Sequence, residues 1–230
     1  MTTLVLVSHP ELADSSTQQF LKASLPKTDV VWEHIESQST IDIEKEQHQL
    51  RAADRIILQF PLYWYTAPAG LKQWEDTVLT RNFVYGDRRY PLAGKELGLV
   101  VSTGMPATAF QRGGTEGFSL DALLTPFAAL AQRARMVWLP TLAIPQFGYL
   151  EEPEKLRLVT DYQRYLTQTY PDSLANRQVW FAEQLAKQIA QLPADQRVTG
   201  RMLADQFDQR RTAISDLQGT LAMIKEQEDD

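Results

Sequence analysis

Residues 3–8, TLVLVS, are a short apolar run rich in β-branched side chains. Polar turn chemistry follows at His9, Pro10, Asp14, Ser15 and Ser16, and then the apolar set Phe20, Leu21 and Leu25. This order predicts strand, loop, helix. Residues 29–35, DVVWEHI, alternate as a second strand, 42–53 read as a polar helix, and RIILQF at 55–60 is a buried strand. Pro68 opens a helix whose apolar face holds Leu71, Trp74 and Val78 at spacings of three and four. KELGLVVST at 95–103 is another buried strand, and the helix after it carries Leu120, Leu123, Leu124, Phe127 and Leu130 on one face. MVWLPTLAI at 136–144 completes the set as a fifth strand. Strands alternating with helices imply right-handed crossovers and a parallel sheet covered on both faces. The expected fold is α/β, a three-layer doubly wound five-stranded parallel sheet with its ligand at the carboxyl ends of the strands.

The last third has a different pattern. Residues 153–168 and 176–192 read as amphipathic helices, and Pro193 marks a break. Beyond it Phe207, Ile214 and Leu221 recur every seven residues, as do Leu203, Arg210, Leu217 and Ile224. The expected division is a ligand-binding domain over 1–192 and a helical C-terminal extension over 193–230. That extension reads either as a helix lying on its own domain or as an arm that packs on a partner subunit.

Composition narrows the chemistry. With 43% hydrophobic and 23% charged residues among 230, the chain is an ordinary globular one. Its net charge of −6 argues against nucleic-acid binding, which needs a basic field. No apolar run approaches the roughly 18 residues of a membrane span, and MTTLVLVSHP lacks the basic region of a signal peptide. A cytoplasmic location is expected. Zero cysteines remove disulfides, thiolate nucleophiles and iron–sulfur ligation. The three histidines, His9, His34 and His48, show no metal-ligand spacing, so no metal site is expected. Walker A and GxGxxG patterns are absent too.

Three strand-end loops remain as candidate chemistry. In the first, His9 and Ser15, Ser16, Thr17 and Gln18 precede or open a helix, where hydroxyls and unpaired N–H groups suit a phosphate. Plain N-capping by Ser15 or Ser16 accounts for the same residues. The second is Pro61, Leu62, Tyr63, Trp64 and Tyr65, whose three consecutive aromatics cannot all face one core and offer a wall to a flat ligand. The third is Ser102, Thr103, Gly104 and Met105, where the glycine lets backbone approach a ligand, or simply makes a turn. Phosphate site, aromatic wall and close-backbone edge at successive strand ends together describe a flavin mononucleotide pocket. FMN is favoured over FAD because no separate adenine site is evident.

The stretches SHP-x4-SST, FPLYWYTAPAGLKQWED, and FVYG followed by LAGKELGLVVSTG resemble the flavodoxin-like NAD(P)H:quinone oxidoreductases. Bacterial relatives of these enzymes include the ancillary oxidoreductase subunits of glutathione-gated potassium efflux systems. The resemblance runs in order over residues 3–150. It implies that His9 and Ser15 to Gln18 hold the flavin phosphate and ribityl region, although His9 reads equally as a loop histidine capping backbone. It implies too that backbone groups of Leu62 to Tyr65 bond the isoalloxazine, and that Thr103 and Gly104 meet its pyrimidine edge. The helix bearing Lys72, Trp74 and Asp76 would pack in a homodimer. The Asn82–Gly86 loop, with Phe83 and Tyr85, would either close over substrate or pack beneath Leu92.

One departure stands out. The resemblance implies a tyrosine and a histidine after the T-G turn, and by spacing Phe110 and Glu116 occupy those positions. No catalytic side chain is therefore assigned. The expected function is a flavin-dependent NAD(P)H oxidoreductase, in which NAD(P)H and a quinone-like acceptor use one site in turn. The alternatives are a flavin-binding redox-sensing regulatory subunit of a transporter with little turnover and a single-electron carrier. The latter fits poorly with the aromatic loops.

Overall fold

The computed structural model describes residues 1–27, 29–37, 40–86 and 89–228. It divides into two compact units, Met1–Thr167 and Gln168–Asp230.

In the first unit, strands β1 (Thr3–Val7), β2 (Val30–His34), β3 (Arg55–Pro61) and β4 (Glu96–Thr103) lie in the order β2-β1-β3-β4. All pairings are parallel. The fifth strand expected from 136–144 is two short strands, β5 (Val137–Trp138) and β6 (Leu142–Pro145), each of which pairs with β4. Pro140 lies between them and has no N–H to give to a ladder, so the sheet carries six strands.

The period of two along each strand sorts its side chains to opposite faces. Leu4, Leu6, Ile56, Leu58, Phe60, Leu97, Leu99 and Val101 pack against helices α2 (Ile43–Ala52), α3 (Ala69–Val78) and α6 (Thr125–Ala134). The same cluster takes in Phe83 from the short helix α4 (Arg81–Val84), together with Leu92. Of the two roles expected for that segment, packing beneath Leu92 is the one observed for Phe83. On the opposite face Val5, Val7, Ile57, Val100 and Ile144 meet α1 (Ser16–Ala23) and α7 (Glu152–Thr167). The layers are therefore helix, sheet, helix. The helix expected across 120–130 is broken in two, with a four-residue turn, α5 (Leu120–Leu123), before α6.

The second unit is a helical hairpin of α8 (Leu174–Gln191) and α9 (Ala194–Glu228). Their approach is close at Gly200, where an added Cβ would lie 2.9 Å from Ile189 Cγ1. Helix α8, grouped by sequence with residues 1–192, thus shares a compact unit with α9. Of the seven-residue repeats, Phe207 and Ile214 are half-buried whereas Leu203, Leu217, Leu221 and Ile224 are exposed. The final residues of the expected extension, 229–230, lie outside the described residues.

Candidate functional site

The carboxyl ends of β1, β3, β4 and β6 deliver four loops to one place. A cavity of about 290 Å3 is lined by His9, Ser15, Thr17, Pro61, Leu62, Tyr63, Ser102, Thr103, Gly104 and Gln146 to Tyr149. A smaller one, about 160 Å3, shares Leu62, Thr103 and Gly104 with it and adds Trp64, Tyr65, Met105, Phe110 and Glu116. Ser16 and Gln18, expected in the site, line neither. Ser16 is exposed, and Gln18 is buried with its Oε1 accepting from Gln59 Nε2 at 2.6 Å. Gln59 Oε1 in turn accepts from the Tyr162 hydroxyl at 2.7 Å. Gln18 therefore sits beneath the cradle rather than in it. Ser15 is the N-cap of α1, accepting from the Gln18 N–H at 3.3 Å, so capping and cavity lining fall on the same residue.

His9 is held on several sides. Its Nδ1 accepts the Glu11 backbone N–H at 3.1 Å, which leaves the ring hydrogen on Nε2, 3.4 Å from the Tyr63 hydroxyl. Burial lowers its pKa, more than the neighbouring Glu36 carboxylate raises it. His9 thus enters the cavity as a neutral imidazole. Glu36 accepts from the Ser8 hydroxyl and from the His9 backbone N–H at 3.2 Å, and it lies 3.1 Å from His34 Nε2. A Cβ on Gly70 would fall 2.3 Å from Glu36 Oε1, so any larger residue there would require the Glu36 side chain to move.

The aromatic loop is a tight turn. Tyr63 and Thr66 exchange backbone hydrogen bonds at 2.9 and 3.0 Å, and Trp64 and Tyr65 between them take φ of 48° and 66°. Two positive φ values in succession are the geometry usually filled by Asn-Gly. Bulky side chains there store strain of order 1–3 kcal/mol each. Trp64 is 91% exposed. The Leu62 N–H is already given to Ser102 O at 2.8 Å and the Tyr63 N–H to Thr66 O. Among the described residues, the Trp64 and Tyr65 N–H groups are left without a protein partner. Opposite this turn, Gly104 has nothing within 4 Å of the position a Cβ would take. The Tyr65 hydroxyl donates to the Glu116 carboxylate, and that bond raises the phenol above its usual range. Phe110 is buried and has no proton to offer.

The fourth loop, Gln146 to Tyr149, is not among the candidates read from sequence. Gln146 adopts a left-handed conformation (φ 47°) and gives its N–H to Thr103 O at 2.8 Å. Phe147 packs on Phe20 at 5.0 Å between ring centroids, and Tyr149 stands 82% exposed at the rim. A signal is present in the sequence: QFGY places a glycine between two aromatics just past a strand.

The donor set suits FMN. Hydroxyls of Ser15 and Thr17 beside the first turn of an eight-residue helix can take a phosphate. An aromatic wall with unpaired N–H groups faces an open glycine edge, as a flat heterocycle requires.

Known proteins agree with this architecture. Residues 1–168 match the model of a family described by its flavodoxin-like fold. An uncharacterized NAD(P)H oxidoreductase of Bacillus subtilis is 38% identical over 73% of this chain and 87% of its own. The glutathione-regulated potassium-efflux system ancillary protein of Cronobacter sakazakii is 40% identical over 61% of this chain and 79% of its own. Among solved structures, an NADPH-quinone reductase from P. pentosaceus is 49% identical, with a TM-score of 0.71 over 74% of this chain and 100% of its own. A general stress protein 14 from Treponema denticola, solved in complex with FMN, is 28% identical, with a TM-score of 0.66 over 72% and 98%. Matched over residues 1–168 and aligned with relatives named as NAD(P)H oxidoreductases, the chain belongs to the family of the flavodoxin-like fold.

Proposed function

We propose that the chain is an FMN-dependent NAD(P)H oxidoreductase acting on a quinone-like acceptor. The convergence of four strand-end loops on one cavity carries this reading. The FMN-bound relative and the quinone reductase at 49% identity support it. When bound, FMN would supply a two-electron redox centre between NAD(P)H and the acceptor.

The protein's part is to bind and orient. Ser15 and Thr17 hold the phosphate, with neutral His9 contributing an Nε2–H rather than a charge. Trp64 and Tyr65 turn their N–H groups toward the ring, where such donors favour negative charge as it develops. Thr103 and Gly104 line the opposite edge, with Gln146 to Tyr149 as the outer wall. Ser102 and Met105 complete that edge through backbone. A homodimer belongs to the same proposal. A further cavity of about 1100 Å3, lined by Trp64, Ala67, Pro68, Lys72, Asp76 and Phe127 among others, opens along α3, and a second copy would cover it. No helix among the described residues is long and apolar enough to cross a membrane. Location in the cytoplasm is part of the proposal and follows from the nicotinamide co-substrate.

The kinship with the potassium-efflux ancillary protein favours a second reading, a redox-sensing subunit with little turnover. One experiment separates the two. Purified protein loaded with FMN is mixed with NADPH under nitrogen, and a quinone is then added. Bleaching of the flavin bands and their return with quinone is the expected result. A bound flavin that stays oxidised with both NADPH and NADH would favour the sensor, and failure to bind FMN would overturn both.

A further inference from the structure

The chemical class of acceptor can be read from the charges around the cleft, on the premise that the chain is the oxidoreductase proposed above. Two cavities meet at Leu62, Thr103 and Gly104. Of the residues lining them, His9 is neutral, and Glu116 is the single side chain that carries a full charge. Among the described residues, neither cavity is lined by a lysine or arginine. Glu116 and Tyr65 line the same small cavity, and hydrogen bonding to the carboxylate raises the Tyr65 phenol above its usual range. The Tyr65 backbone is held by the tight turn between Tyr63 and Thr66. The Glu116 backbone is tied down as well, its N–H given to Ala109 O at 3.1 Å. Phe110 and Met105 line the same cavity as the carboxylate and are apolar.

We propose that Glu116, beside Tyr65 in the cavity lining, makes this end of the cleft select uncharged or cationic flat acceptors and reject anionic ones. A fixed negative charge beside a partly enclosed pocket repels a sulfonate or carboxylate on the acceptor without touching a neutral ring. Hydride delivery to the acceptor needs one proton from solvent to complete the two-electron reduction, and the selection changes nothing in that balance.

The test compares menadione with 1,4-naphthoquinone-2-sulfonate, two rings of the same shape that differ in charge. Two readouts are taken on the FMN-loaded protein: the ratio of kcat/KM with NADPH in excess, and the ratio of Kd by calorimetry without NADPH. Wild type is expected to favour menadione about tenfold in both ratios at low ionic strength, with the preference shrinking as salt is raised. E116Q should bring both ratios to within about twofold. Y65F, which frees the carboxylate while leaving its charge, should fall between. Equal ratios in wild type, a ratio untouched by E116Q, or no calorimetric binding of either quinone would each overturn the proposal. A failure of the oxidoreductase reading is distinguishable: NADPH would not reduce the flavin, while the Kd ratio would still report on Glu116.

Discussion

At the amino end of the sheet, Arg55 and Glu96 open β3 and β4 side by side, joined by a 2.5 Å Nε–Oε2 contact. Arg55 also donates to Tyr165 O, and the Tyr165 hydroxyl accepts the Leu99 N–H at 3.0 Å. Thr3 gives its hydroxyl to Leu166 O, and the Lys95 ammonium bonds the carbonyls of Arg51 and Ala53. At the carboxyl end, only a few residues along the same strands, two aromatics sit at positive φ with unpaired N–H groups, and Trp64 and Tyr149 lie open to solvent. One edge is saturated with internal partners and the other is left wanting them. Stabilising contacts are therefore concentrated away from the cavity, and strain and unsatisfied donors lie beside it.

The contrast breaks most directly at Arg55. Arg55→Ala leaves Glu96 and the Tyr165 carbonyl without their partner at a buried site, which costs about 3 kcal/mol or more. The urea midpoint should fall accordingly, while protein still folded binds FMN with wild-type affinity. Loss of FMN affinity with an unchanged midpoint would mean that the two ends are not separate in role.

A smaller and opposite effect belongs to Trp64. Glycine accepts φ of 48° without strain, so Trp64→Gly should raise stability by up to about 1 kcal/mol and weaken FMN binding at the same time. Calorimetry of unfolding and FMN titration read the two halves. A variant that is both less stable and a weaker binder would show that the aromatic ring, not the turn, holds the structure.

The smallest effect is set by pH. His9 is pushed below its usual pKa by burial, so the unfolded chain binds a proton more readily than the folded one. Stability from this source is present above about pH 6.5 and is lost as pH falls through the unfolded value toward the folded one. His9→Gln should flatten that part of the stability–pH curve between pH 7 and 5. An unchanged slope would assign it to another group.

Much of the fold is legible in the chain because its strands are buried on both faces and so read as unbroken apolar runs. RIILQF and ELGLVV leave little choice. What escaped is local. Pro140 interrupts a run whose flanks are equally apolar, so one strand became two and the loop behind the second was passed over. Gln18 was assigned to the ligand because it follows Ser15 to Thr17. The helix turns it inward instead, and only the partner side chains Gln59 and Tyr162, distant in sequence, reveal that. Phe83 sits in a segment whose glycine and aromatics suit a lid as well as a core. Its neighbours Leu92 and Arg51, the latter 4.8 Å from the ring, decide for the core. Glu116 was visible as an oddity at a position where the resemblance implies a histidine, but its tie to Tyr65 needed three dimensions.

The buried chain from Tyr162 through Gln59 to Gln18 has a consequence in time. It links α7, the central strand and the start of α1 by direct side-chain bonds at 2.7 and 2.6 Å, with no solvent between. The cavity-lining first turn of α1 is thus set before any ligand arrives. Capture should then be a single encounter whose rate climbs in proportion to ligand concentration, with no slower rearrangement trailing behind it.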